Sequence, residues 1–109
     1  MQIVVTGRHV EVPAEVRTYV EAKAEKLLRY YDRIHEVEIV FDHESNLISA
    51  ELIVRVDRKQ TFLARETGPD TLTLIDVVVE KVERQLRRFK EKSRNHKHSE
   101  KPEATDDAT

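Results

Sequence analysis

Cysteine is missing from the 109 residues of this chain, so neither a disulfide nor a thiolate metal site can form. Glycine occurs twice, at Gly7 and Gly68, which leaves little material for a glycine-rich phosphate loop. No stretch approaches the roughly 18 apolar residues of a membrane-spanning helix. The opening Met1-Gln2-Ile3-Val4-Val5-Thr6-Gly7 has no charged leader, apolar run or small-residue cleavage site and reads as a strand. These absences predict a cytoplasmic protein with no membrane partner. The length suits one small domain with a single core.

What is abundant is charge, and it is unevenly distributed. The formal total is −2, but residues 81–98 hold eight Lys or Arg against Glu83 and Glu91, a local +6. Residues 1–80 carry −5 and residues 99–109 carry −3. One basic stretch thus sits between acidic surroundings, the pattern expected of a surface that lies on nucleic acid.

Hydrophobic periodicity supplies the framework. Val4 and Val5 lie in a β-prone run ended by Gly7, and Pro13 suits a helix start because its missing N–H is not needed there. From Ala14 to about Arg33, Val16, Val20, Ala24, Leu27 and Tyr31 follow the helical period. Val37, Ile39 and Phe41 then alternate with Glu36, Glu38 and Val40, and Ile48, Ala50, Leu52, Val54 and Val56 alternate with Ser49, Glu51, Ile53 and Arg55. Asp57-Arg58-Lys59-Gln60 reads as a polar hairpin connection, followed by a third alternating run from Thr61 to Glu66 that stops at Gly68-Pro69. Asp70 is placed to cap a second helix in which Ile75, Val78, Val79, Val82, Leu86 and Phe89 form the apolar face. The order β-α-β-β-β-α predicts an α+β domain over residues 1–94, with both helices on one face of a mostly antiparallel four-stranded sheet and the first strand beside the second. Residues 95–109 read as a solvated polar and acidic tail.

Two cationic strips carry the functional reading. On the second helix Lys81, Arg84, Arg88 and Lys92 recur roughly opposite the apolar face. On the first, Tyr19, Lys23, Lys26, Tyr30 and Arg33 line up beside the apolar stripe, and Tyr31 takes the inward position that leaves Tyr30 outward. Cations can pair with phosphates and aromatic rings can pack on riboses or unstacked bases, so the mixture points to folded RNA. If the helices lie side by side, the strips adjoin and make one surface.

Plainer explanations take part of this charge. Glu80 can support Arg84, and Glu83 can support Arg87, at i, i+4. Lys90 and Lys92 complement the dipole of a helix C-terminus. Asp76 reads as early helix-turn acidity and belongs to neither the core nor the basic strip. His96-Lys97-His98 has no accompanying carboxylate or thiolate spacing for a metal. Nothing pairs a nucleophile with a base, so no enzyme, cofactor or small-molecule substrate is expected. Besides an RNA-directed inhibitor, two readings remain open: a general double-stranded RNA-binding protein, and a protein-interaction adaptor using a basic helix.

The segments Ala22-Lys23-Ala24-Glu25-Lys26-Leu27, Tyr30-Tyr31-Asp32-Arg33-Ile34 and Ile75-Asp76-Val77-Val78-Val79-Glu80-Lys81-Val82-Glu83-Arg84-Gln85-Leu86, with the element order, resemble the ribosome hibernation promoting factor family from Met1 to about Lys92. The resemblance implies a domain similar to the double-stranded RNA-binding fold. It also implies docking on 16S rRNA of the small ribosomal subunit between head and body, over the decoding region where tRNA and mRNA would sit. Ribosomes would thereby be silenced in stationary phase or starvation. By position, Lys23, Lys26, Tyr30 and Arg33, with Lys81, Arg84, Arg88, Lys90 and Lys92, match the family's rRNA-facing surface. The chain resembles the short members, some of which cooperate with a ribosome dimerisation factor and some of which oppose pairing. It departs at Leu72, where the family has a tyrosine, and at Thr67, which reads as an insertion between Glu66 and Gly68.

Overall fold

The computed structural model describes residues 1–57 and 60–94. The elements run β1 (Gln2–Arg8), α1 (Ala14–Tyr30), β2 (Ile34–Glu44), β3 (Leu47–Val56), β4 (Gln60–Gly68) and α2 (Thr71–Arg94). One sheet has the order β1-β2-β3-β4, with β1 parallel to β2 and the other neighbours antiparallel. The single parallel pair follows from connectivity, because α1 carries the chain back along the sheet and β2 starts at the same end as β1. The architecture is the expected α+β one. The tail from residue 95, including His96 and His98, and the Arg58-Lys59 connection lie outside the described residues.

Alternation decides which sheet face is covered. Val37, Ile39 and Phe41 of β2, Ala50, Leu52, Val54 and Val56 of β3, and Phe62 and Ala64 of β4 are buried. They form one cluster with Val16, Val20, Ala24 and Leu27 of α1 and with Leu74, Ile75, Val78, Val82 and Leu86 of α2. Burying each large side chain stabilises by roughly 1.5–3 kcal/mol. Agreement between strand and helix periods therefore selects this packing, since one step of register would turn the whole set to water.

Boundaries differ from the sequence reading in informative places. α1 ends at Tyr30, three residues before Arg33, because Tyr31 adopts extended backbone (φ −139°, ψ 106°) while its N–H still reaches the Leu27 carbonyl at 2.9 Å. The Tyr31 ring meets Phe89 of α2 edge-on at 6.0 Å between centroids, an inward contact that accompanies the exit from the helix. β2 starts at Ile34, and its register against β3 shifts between Ile34 and Glu36. That bulge inverts the alternation, so Ile34 and Val37, three residues apart, are both buried. Thr67 pairs in regular register with Ser49 and introduces no bulge of its own. Leu72 packs half-buried against the core.

Asp70 caps α2 as expected. Its carboxylate accepts the Thr73 N–H at 3.0 Å and the Thr73 hydroxyl at 2.6 Å, and these bonds hold its pKa below the usual aspartate value. After β1 the chain doubles back past Gly7, helped by a left-handed His9 (φ 61°). A Cβ on Gly7 would lie 2.4 Å from the Val10 carbonyl oxygen and 2.9 Å from Val12 Cγ2. Gly7→Ala is expected to destabilise the fold by about 1–3 kcal/mol through overpacking. Thermal denaturation checks this, and an unchanged melting temperature would mean that the loop yields freely.

Candidate nucleic-acid interface

The core residues of α2 set its rotation, and rotation decides what each remaining side chain meets. Toward α1 the helix presents Asp76, Val79, Glu80 and Glu83, which line a groove of about 230 Å³ opposite Lys23, Lys26 and Leu27. Toward β4 it presents Lys81 and Gln85. Lys81 Nζ donates to Glu66 Oε1 at 2.8 Å, and Gln85 Nε2 donates to the Leu63 carbonyl at 3.0 Å, fastening the helix over the edge strand.

The helix seam is an electrostatic zipper. Tyr19 donates its hydroxyl to Asp76 Oδ1 at 2.7 Å, and Lys23 Nζ lies 3.2 Å from the same oxygen. The Tyr19 hydrogen bond, aided by Lys23, pulls the Asp76 carboxyl below its ordinary pKa, while the bond to Asp76 raises the Tyr19 phenol and the Lys23 ammonium above theirs. Further along, Lys90 Nζ donates to the Tyr30 carbonyl at 3.2 Å and sits 4.5 Å from the centre of the Tyr30 ring. It thereby satisfies an orphan carbonyl at the end of α1.

This geometry corrects the expectation of one merged surface. The strip on α1 faces α2, but the flank of α2 that meets it is acidic and apolar. At 3.6 residues per turn the strip of Lys81, Arg84, Arg88 and Lys92 is centred roughly 150° around the helix from the mean direction of Asp76, Val79 and Glu83. Asp76, read from sequence as belonging to neither face, is the residue that joins the helices. Tyr19 and Tyr30 are half-buried rather than exposed. Arg33 is exposed in the turn after α1, not on the helix.

Of the nine sequence-selected residues, Lys23, Tyr30, Lys81 and Lys90 are engaged within the protein. Lys26, Arg33, Arg84, Arg88 and Lys92 are exposed and make no ion pair among the described residues. The anticipated Glu80–Arg84 and Glu83–Arg87 pairs are also absent among those residues, because the two glutamates turn into the groove toward α1. Arg87, not selected from sequence, is exposed beside Arg84 and Arg88. Its spacing from Glu83 made it look like helix support. The outer flank of α2 is therefore a row of solvated arginines suited to paired hydrogen bonds with phosphate oxygens.

The model of the sigma 54 modulation protein / S30EA ribosomal protein family matches residues 3–94. The chain belongs to that family. The ribosome hibernation promoting factor of Escherichia coli K12 is 33% identical over 96 residues, spanning 88% of this chain and 100% of that protein. A ribosome hibernation promoting factor of Azotobacter vinelandii is 29% identical over 102 residues, with 94% of each chain covered. Among solved structures, the N-terminal domain of Thermus thermophilus Protein Y has a TM-score of 0.72 at 30% identity, covering 82% of this chain and 99% of that one. A ribosomal subunit interface protein from Coxiella burnetii shares the fold with a TM-score of 0.77 at 24% identity, covering 84% and 99%. The family is the hibernation promoting factor family indicated by the α1 and α2 motifs, and the chain has the span of its short form. No helix among the described residues is long and apolar enough to cross a membrane.

The seam has a defined pH window. A carboxyl with depressed folded pKa contributes stability that is present above about pH 4 and is lost as pH falls through the folded value. A phenol and an ammonium with raised values contribute stability that is present below about pH 10 and lost above. Asp76→Asn is expected to destabilise by less than about 1 kcal/mol at neutral pH, because the pair is half-exposed and screened. The difference from wild type should shrink as pH falls below about 4 in a series of urea melts. An equal difference at about pH 3 and about pH 7 would remove the carboxylate charge as its source.

Proposed function

We propose that this protein is a ribosome hibernation factor that binds the small subunit through 16S rRNA at the decoding region. It excludes tRNA and mRNA there and keeps ribosomes silent in stationary phase or stress. The observation that carries the reading is the outer flank of α2, where Arg84, Arg88 and Lys92 are exposed without ion pairs among the described residues. Membership of the hibernation promoting factor family supplies the ribosome as the RNA-bearing partner.

In this reading the nine residues divide their labour. Arg84, Arg88 and Lys92 contact phosphates, with Lys26 and Arg33 contributing from the side of α1. Lys23, Tyr30, Lys81 and Lys90 hold the helices at the angle that presents those cations. Phosphate contacts dominate such binding and make it salt-dependent, each one adding about 0.9 to the slope of log affinity against log salt for duplex-like nucleic acid. Inhibition requires no chemistry, since occupancy of the decoding region is itself the block.

Arg84→Glu combined with Arg88→Glu is expected to abolish cosedimentation with small subunits at moderate salt. Thermal unfolding should be nearly unchanged, because both side chains are exposed. Undiminished cosedimentation of the folded double variant would refute the assigned surface. Equal affinity of the wild type for small subunits and for long unrelated RNA duplexes would identify a general double-stranded RNA binder instead.

A further inference from the structure

The turn between α1 and β2 carries Arg33, an exposed cation whose neighbours decide whether its charge is open to an anion. The next residue, Ile34, pairs with Val56 of β3, while Glu36 pairs with Arg55. His35 is thus the extra residue of the bulge, with no partner of its own on β3. Ile34 and Val56 are 4% and 3% exposed. The core fixes this pair, and with it the place of the residues on either side.

Two bonds cross between the strands just outside that pair, and both use Asp57. Its N–H donates to the Arg33 carbonyl at 3.2 Å, which makes Asp57 the cross-strand neighbour of Arg33, one step beyond Ile34 and Val56. Opposite charges so placed ordinarily pair, because directly facing side chains stand only about 5 Å apart at their Cβ atoms. Here they do not. The Asp57 carboxylate is taken by His35 Nε2, and Arg33 makes no ion pair among the described residues. The bulge permits this choice. In an unbulged ladder continued from Ile34 and Val56, His35 would face Arg55; with the extra residue, Glu36 faces Arg55 and the imidazole is re-aimed to Asp57.

We propose that His35 is a positioning residue for RNA binding: by occupying the Asp57 carboxylate, it leaves the Arg33 guanidinium to a phosphate. This role rests on the reading of Arg33 as a phosphate contact in the small-subunit site. Without His35 the carboxylate turns to Arg33, and a phosphate must then compete with an ion pair inside the protein. The side chains of His35 and Asp57 are 66% and 40% exposed, so the exchange is between contacts of similar, screened strength. Removing one side chain is enough to tip it, with no change of fold.

The test combines NMR of the full isotope-labelled chain with small-subunit binding by His35→Ala, His35→Ala with Asp57→Asn, and Arg33→Ala. In His35→Ala the Arg33 Nε–H signal should shift and exchange more slowly with water as Asp57 captures it, and adding Asp57→Asn should return it to the wild-type position. Small-subunit affinity at moderate salt should fall about three- to fivefold in His35→Ala, the loss an exposed ion pair can impose, and recover to within about twofold of wild type in the double variant. A merely structural His35 would leave the double variant binding no better than the single one, and that result would overturn the proposal. An unmoved Arg33 signal in His35→Ala would do the same while leaving the ribosomal reading intact. If the signal moves as expected but Arg33→Ala binds small subunits as tightly as wild type, the fault lies in the reading of Arg33 as a phosphate contact, and the role of His35 in binding falls with it.

Discussion

The insertion of Ile75, Val78, Val82 and Leu86 into the sheet's covered face fixes the rotation of α2, and the rest of the arrangement depends on that angle. All four are fully buried, so turning the helix by one residue would exchange several of them for charged neighbours at a cost of several kcal/mol. With rotation fixed, the helical period assigns Asp76, Glu80 and Glu83 to the seam with α1, Lys81 and Gln85 to the edge of β4, and Arg84, Arg87 and Arg88 to solvent. One apolar stripe thus allocates three kinds of polar neighbour.

Much of the fold is legible in the chain because its signals are local and redundant. The alternation of β2 and β3, the 3.6-residue period of both helices and the Asp70 cap each point the same way. What escapes is where a local pattern meets a partner distant in sequence. The helical period turns Tyr31 inward, but its contact with Phe89, 58 positions along the chain, as the backbone leaves α1 is one that no local pattern supplies. The bulge at the start of β2 is likewise invisible until β3 supplies the register.

The candidate site follows the same rule. Arg84, Arg88 and Lys92 are exposed on the side where a helical wheel puts them, since a wheel needs only one helix. Lys23 and Tyr30 look equally available by that test but are engaged across the seam, and Asp76 looks idle but is its centre. A wheel gives the direction of a side chain relative to its own helix axis and is silent on which neighbour lies there. Adjacency of two strips is therefore a tertiary property, and it depends here on the order in which α1 and α2 lie across the sheet.

The acidic flank of α2 also gives the cationic strip on α1 a physical purpose that does not involve RNA. Two helices packed side by side on a narrow four-stranded sheet share limited apolar contact, which Val79 and Leu27 supply at the floor of their groove. Above that floor, like charges would push the helices apart, and neutral polar groups would hold them with no preferred register. The Lys23–Asp76 pair holds them instead at one spacing, with Lys90 closing the far end over Tyr30, while Lys26 lines the groove opposite Glu80 and Glu83 without an ion pair among the described residues. The individual pairs are weak because they are partly exposed, yet they act on a helix whose rotation the core has already fixed. Their effect is positional more than energetic: they fix the spacing of α1 and α2, while the buried stripe of α2 fixes the rotation that leaves Arg84 and Arg88 in solvent.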